Sequence, residues 1–469
     1  MMKALFASCL LLIIGCQQTY AQQDENTEVR SDPKTVFVHL FEWKWIDVER
    51  ECPLLAEAGY SAVQVSPPQE SIPKSNWWSR YQPISYQIKG RSGDETAFRS
   101  MINACRAFGV DIYVDAVINH MAAQNRVYPA VPYSYQDFHL CRVPIDYSDR
   151  WKIQNCDLNG LNDLATGTEY VRARIAEYLN RLVDMGVAGF RIDAAKHIDA
   201  RDIENIVSRI SPDVYVFQEV IGAVQEPVTV FEYEAAGDVT EFLFGTTVGQ
   251  HFKGRSQLKE LRYLSFFDGW LPSDKAVVFT DNHDTQRYEP FGVMTYKDDG
   301  ARYALANVFM LAYPYGYPKV MSSYRFSTFD QGPPTTGVNE GEGCFGRWVC
   351  EHRWPAIANM VEFRNVTSSA FQIDHWWDNG ANQIAFARGN LGYVVMNGDN
   401  FVLDERLFTG MPEGLYCNVI SGKRNAERNA CEGDTVTVDD AGFIEVPVQP
   451  MSALAIHRDS RLTTAGSTN

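Results

Sequence analysis

The chain has 469 residues, of which 45% are hydrophobic, 22% charged and 13% aromatic, a globular composition that excludes a disordered or fibrous protein. At about 150 residues per domain this length suggests roughly three compact units, a count that one large α/β barrel would distort. With 42 Lys plus Arg against 59 Asp plus Glu, the formal charge of −17 leaves no electrostatic footprint for nucleic acid.

In chain order, the first feature is an apolar stretch over residues 4–15 behind Met1, Met2 and Lys3. It is too short to span a bilayer and has the basic and apolar regions of a secretory signal, so residues 1–21 are expected to be an export signal, with no transmembrane helix. Two processing readings stay open. Thr19-Tyr20-Ala21 fits a small-residue cleavage site, leaving a secreted or periplasmic protein, whereas Ile13-Ile14-Gly15-Cys16 resembles a lipoprotein box in which Cys16 would carry a lipid anchor.

Next come β-rich runs at 35–41, 61–66, 111–118, 187–194, 214–220, 238–244, 276–281 and 319–322. Helical stretches lie between them. Residues 168–185 place Val171, Ile175, Tyr178, Leu179, Leu182 and Val183 at helical spacing before Gly186, and residues 94–108 start on an acidic cap and stop at Gly109. Apolar strands separated by helices indicate a parallel sheet covered on both faces, and eight such units predict a (β/α)8 barrel, with a doubly wound sheet as the alternative. The alternation breaks at 119–165, read as a small domain inserted after the third strand, so the barrel is assigned to 35–118 and 166–370. From 371 to 460 the pattern turns to short alternating segments, at 383–387, 392–396, 435–438, 443–448 and 453–457, which predict an antiparallel β-sandwich.

Of ten cysteines, Cys9 and Cys16 lie in the signal, leaving eight. An even number in an exported chain argues for disulfides, although eight allow 105 pairings. The short separations favour Cys141–Cys156, Cys344–Cys350 and Cys417–Cys431, which leaves Cys52–Cys105.

In a barrel of this kind the catalytic candidates are polar residues at the C-terminal ends of strands. Strand three ends at Asn119-His120, strand four runs through Arg191 and Asp193 to Lys196-His197, strand five ends at Gln218-Glu219 and strand seven at Asn282-His283-Asp284. Asp193, Glu219 and Asp284 would be gathered at one mouth. Such a cluster suits glycosidic cleavage, in which one carboxylate is ionised and another protonated, and Arg191 on the same strand face as Asp193 would help separate them. Singly, each carboxylate is as readily explained as a helix cap.

The segments DAVINH (115–120), GFRIDAAKH (189–197), QEVI (218–221) and FTDNHD (279–284) resemble the four signature regions of the α-amylase family of glycoside hydrolases. HLFEW (39–43), VQVSPP (63–68), WWSRYQP (77–83), MLAYPYGYPKVMSS (310–323) and CEHRW (350–354) are similar to its chloride-dependent, animal-type branch, and the likeness runs from about residue 35 to 457. It implies a retaining endo-hydrolase of α-1,4-glucans with Asp193 as nucleophile, Glu219 as acid/base and Asp284 binding sugar hydroxyls. His120, His283, Lys196, His197, Arg191 and Ile221 would contact substrate, Trp77, Trp78 and Tyr81 would offer apolar faces, and Gln82 and Tyr147 would stand nearby. A Trp-Trp pair is also ordinary core, and since adjacent residues on a strand point to opposite faces, one of the two could still be buried.

The resemblance further implies calcium, held by Asn119, Asp163 and the carbonyls of Gln154 and His197, and chloride between Arg191, Asn282 and Lys319. Three departures stand out. Gln154 replaces the usual Arg, which a carbonyl ligand tolerates. Lys319 also replaces an Arg, and an ammonium lacks the bidentate fork, so chloride activation with weak affinity is expected. Tyr288-Glu-Pro-Phe-Gly292 stands where the family usually has a mobile Gly-rich loop, so closure over substrate and product length are expected to differ. The expected partner is an α-glucan and the expected state a monomer. A transglycosylating relative and a catalytically dead starch-binding surface protein are the competing readings; the second would be favoured by a missing carboxylate, and all three are present.

Overall fold

The computed structural model describes residues 35–463 apart from 124–125, 127, 212–213, 223–224, 265, 267, 339–343 and 345; the export signal with Cys9 and Cys16 lies outside the described residues. Eight parallel strands close a barrel: Phe37–Leu40, Ala62–Val65, Asp111–Ala116, Gly189–Ile192, Tyr215–Gln218, Asp238–Thr240, Ala276–Val278 and Tyr317–Ser322. The first strand pairs with both the second (Phe37 opposite Ala62) and the eighth (Phe37 opposite Lys319), which completes the cylinder. Phe37, Tyr113, Tyr215, Phe217, Val277 and Tyr317 fill its interior, while a larger apolar shell packs between the strands and the outer helices.

Local sequence accounts for the helices. Glu169–Asp184 starts where Thr168 Oγ1 accepts the Val171 N–H and buries Val171, Ile175, Tyr178, Leu179 and Leu182 on one stripe. It stops at Gly186, whose φ of 102° and contact with Arg106 leave no room for a Cβ. Glu95–Ala107 is capped by Asp94, which accepts the Ala97 N–H at 3.0 Å, and buries Phe98, Met101, Ile102 and Cys105. The run expected as a strand over 238–244 divides instead. Glu241 takes the N–H of Leu243 at 3.1 Å and of Leu271 at 2.9 Å, so the strand ends at Thr240 and Phe242–Phe252 is a helix. Apolar Phe242-Leu243-Phe244 suits either period, and the cap decides.

Two antiparallel excursions cover the mouth. Gln69–Ser71, Pro83–Gly90 and Gly93–Asp94 make a small sheet that periodicity did not reveal. The other falls within 119–165, where His120–Met121 pairs with Asn162–Asp163 beside the helix Arg150–Asn155. The C-terminal region is all-β: Asp374–Asp378, Gln383–Arg388, Gly392–Asn397 and Ser452–His457 form one antiparallel sheet, facing a core that includes Leu407, Tyr416, Val436 and Ile444 from paired shorter strands. Cys52–Cys105, Cys141–Cys156, Cys344–Cys350 and Cys417–Cys431 are bonded. Among the described residues no helix is long and apolar enough to cross a membrane.

Candidate active site

Strand alternation points Asp115 and Arg191, register partners on the third and fourth strands, into the barrel. Two residues after Arg191, Asp193 emerges at the mouth. The buried Arg191 guanidinium then grips three carboxylates: Nη1 lies 2.6 Å from Asp115 and 2.8 Å from Asp193, and Nη2 lies 2.5 Å from Glu219 Oε1, an ion pair not aligned as a hydrogen bond. Ala194, next in the chain, sits in the left-handed region at φ 50°, a conformation costing about 1 kcal/mol or more outside glycine. That turn aims its N–H at Glu219 Oε2, 3.1 Å away.

A cleft of ≈ 480 Å³ opens above them, with Asp193, Glu219 and Asp284 in its wall. Burial, then Glu219 and Asp115, push Asp193 well above the usual carboxylate range against the opposing pull of Arg191. Asp284 is pushed up to about 7 by burial and then by Glu219. With Asp115 these make four carboxyls against Arg191 and Lys319, and Lys319 is itself pushed down to about 7 by burial and then by Arg191. Like charges crowded in a low dielectric cannot all ionise, so the cluster holds a proton near neutral pH.

Of the substrate candidates, Trp77, Trp78, Tyr81, His120, Tyr147, Lys196, His197, Ile221 and His283 line the cleft. The Trp pair lies on a 3-10 helix, Trp77–Tyr81, and not on a strand; one of the two, Trp77, is buried as expected, Trp78 is partly open, and both line the cleft. Tyr81 stacks on His283 at 5.2 Å and donates its hydroxyl to Asp115 at 2.9 Å. His120 has both ring nitrogens engaged, at 2.9 Å from the Tyr81 carbonyl and 3.2 Å from Asn119 Nδ2, and burial lowers it to about 4. His283 is neutral through burial and stands 3.2 Å from Asp284. Lys196 is tied to the Ile221 carbonyl at 2.5 Å and to Glu226. Arg191 lies beneath the cleft floor, and Gln82 stands beside the lining, its side chain accepting the Ala123 N–H at 3.4 Å.

The cleft also takes Leu158, Asn159, Leu161, Glu226 and Tyr288, which sequence reasoning missed. They lie in connections or single helical turns too short to show a period: Leu158 and Asn159 in Leu158–Gly160, Tyr288 at the end of Thr285–Tyr288, Leu161 and Glu226 outside any helix or strand. Asp115 was missed too, although its even spacing from Asn119 on an inward strand was a usable signal.

The ion sites can be tested on the residues present. Asp163, opposite His120 in the small sheet, is buried; Oδ2 takes His139 at 2.6 Å, whereas Oδ1 has no hydrogen-bond partner. Burial pushes Asp163 up to about 7, a cost that a cation would offset. Asn119 stands near it, and His197 Nδ1 donates to the Ile153 carbonyl at 2.9 Å, bringing His197 beside Gln154. A carboxylate, an amide oxygen and carbonyls make an all-oxygen set that fits a hard cation. For the anion, Lys319 Nζ lies over the Phe279 ring at 4.5 Å and forms no hydrogen bond or ion pair among the described residues. Asn282 Oδ1 accepts from the N–H groups of Asp284 and Thr285, which leaves its NH2 as a donor beside Arg191 and Lys319 in the proposed set. The Lys319 ammonium and the Asn282 amide are donors without an acceptor among the described residues, and with Arg191 Nη2, which has no aligned hydrogen bond, they fit an anion.

Two family models match the chain: the α-amylase catalytic domain over residues 48–318 and the α-amylase C-terminal all-β domain over residues 374–459. Pancreatic α-amylase 2a5 of Mus musculus is 42% identical over 512 residues, covering 97% of this chain and 99% of that protein. An α-amylase of Tribolium castaneum is 42% identical and covers 91% and 94%. Among solved structures, wild-type α-amylase I from Eisenia fetida superposes with a TM-score of 0.83 at 39% identity, over 90% of this chain and 97% of the other.

Proposed function

The chain belongs to the α-amylase family of glycoside hydrolases, and on that premise we propose how its residues divide the hydrolysis of α-1,4-glucans. Asp193 attacks the anomeric carbon while Glu219 gives its proton to the departing glycosidic oxygen. Glu219 then takes a proton from the water that releases the covalent glycosyl intermediate, so configuration is retained. Asp284 holds sugar hydroxyls and His283 stands against it. The observation that carries this assignment is the grip of one guanidinium on both Asp193 and Glu219. It keeps the two carboxyls close, in keeping with the roughly 5 Å that a double displacement needs.

The occupant of the cleft is a malto-oligosaccharide segment of an α-glucan. Support comes from the aromatic lining, with Trp77, Trp78 and Tyr81 on one wall, and from a variant of Eisenia fetida α-amylase I solved with maltohexaose. Calcium, through Asn119, Asp163, Gln154 and His197, would tie the inserted segment to the barrel beside the nucleophile. Chloride, through Arg191, Asn282 and Lys319, would add negative charge under the cluster and favour the protonated acid. The enzyme is exported, consistent with its four disulfides and its N-terminal apolar stretch.

Glu219→Gln tests the assignment on soluble starch, read by reducing ends. Loss of general acid catalysis lowers kcat by about 10²–10⁴ while binding survives. Full activity in this variant, or an inverted anomer among the first products by NMR, would overturn it.

A further inference from the structure

Tyr288 ends the four-residue helix Thr285–Tyr288, with its N–H 2.8 Å from the Asp284 carbonyl, so it rises one turn above Asp284 at the cleft. Its ring is 65% exposed yet lines the cavity, and its hydroxyl makes no hydrogen bond among the described residues. The ring meets Phe329 edge-on at 5.1 Å. Phe329 in turn meets Trp77 at 5.9 Å and accepts the Trp77 indole N–H on its carbonyl at 2.8 Å, while neighbouring Asp330 accepts that of Trp78 at 2.8 Å. Tyr288, Phe329, Trp77 and Trp78 thus form one aromatic wall.

The loop that carries Tyr288 is fixed. Lys297 Nζ bonds the Gln286 carbonyl at 2.7 Å and Glu289 at 2.6 Å. Glu289 turns left-handed at φ 45°, Pro290 follows, and Gly292 at φ 96° packs so tightly on Gln250 and Thr246 that a Cβ would stand 2.7 Å from Gln250 Cγ. The phenol is pushed up by burial and then by the charges of Asp284 and Tyr147, which places it where both are felt.

Chemistry gives the wall a side. Glu219 protonates the leaving group, and Ile221, Glu226 and Lys196 cluster with it, so they flank the departing sugar. Asp284 would bind the sugar held on the nucleophile, and Trp77 joins its side of the cleft through His283, which stands 5.8 Å from the Trp77 ring and 3.2 Å from Asp284. We propose that Tyr288, backed by Phe329, is a rigid stacking platform for a glucose ring on this retained side and sets the length of the product released. The platform rests on the roles given to Asp193, Glu219 and Asp284 under Proposed function.

The test uses the whole enzyme with maltoheptaose, the products resolved by chromatography, and with maltotriose as a chain too short to fill the outer wall. Tyr288→Ala raises KM for maltoheptaose about three- to tenfold, the scale of one aromatic contact, and moves the dominant cut, whereas KM for maltotriose changes less. Tyr288→Phe restores the wild-type pattern, and Phe329→Ala shifts it in the same direction as Tyr288→Ala. Melting temperatures identify any variant that fails to fold, and Tyr288→Leu then replaces the alanine. An unchanged product pattern in an active variant, an equal loss on both substrates, or a Phe variant that behaves like Ala overturns the platform. The catalytic assignment fails separately, through an active Glu219→Gln.

Discussion

Replacing Arg191 by Met removes one buried charge and leaves the packing volume nearly intact, so its effect isolates the electrostatics of the carboxylate cluster. The Arg191 side chain is 2% exposed and its partners Asp115, Asp193 and Glu219 are 0%, 9% and 9% exposed, so solvent cannot stand in for the lost cation. Breaking a buried pair from one side costs about 3–5 kcal/mol. Over residues 35–463 the unfolding entropy is ~0.9 kcal/mol/K, which converts that cost to a melting-temperature loss of about 3–6 °C. The loss depends on pH with a definite sign. Asp193 and Asp284 already titrate above their ordinary values, so the fold binds more protons than the unfolded chain, and stability falls as pH rises from the ordinary carboxylate range through the raised values. Without Arg191 those values rise further. The deficit against wild type is therefore larger at pH 8 than at pH 5, where protonated carboxyls no longer need a cation. Thermal melts of both proteins across that range measure it, alongside a fall in kcat of ~100-fold or more from the misplaced, wrongly protonated carboxyls. A deficit below about 1 °C, or one that is larger at pH 5, refutes the reasoning.

Removing chloride by dialysis into a halide-free buffer lowers kcat, and adding it back restores activity. Lys319 titrates near 7, so the chloride concentration for half-activation rises from pH 6 to pH 8 as the ammonium is lost, and Lys319→Arg both lowers that concentration and flattens the rise. Flat activity with and without chloride contradicts this. Chelation with EGTA lowers the melting temperature by about 3 °C if the buffer held calcium at 100 times its Kd, from ~2.7 kcal/mol of linkage spread over the same unfolding entropy. Because Asp163 binds a proton up to about 7 when no cation neutralises it, stability without calcium falls as pH rises towards and through 7, and the EGTA effect grows from pH 5.5 to pH 8. A melting curve indifferent to EGTA at pH 8 counts against the site.

How much of the site was legible follows from what a barrel does to strand ends. DAVINH, GFRIDAAKH, QEVI and FTDNHD each stop at the same mouth whatever the loops do, so Asp193, Glu219 and Asp284 could be named from order and period alone. Residues in aperiodic connections could not. Glu226 against Lys196, His139 against Asp163 and Tyr288 against Phe329 are pairs 30, 24 and 41 residues apart in sequence whose meeting depends on how the loops fold over the barrel. Gln82 and Ala194 show the same limit: the Gln82 side chain reaches the Ala123 N–H, and a left-handed turn aims the Ala194 N–H at Glu219.

The sequence by itself determined the architecture and which carboxylates share one mouth, because strand and helix periods are local and closure of eight parallel strands leaves one place for the strand ends. Tertiary structure decided the charge state and the walls. Only packing brings Arg191, Asp115 and Lys319 into the same dry space as the carboxylates, and only loop geometry sets Tyr288 facing the cleft. Desolvation and Coulomb interactions depend on distance through space, which separation along the chain does not encode.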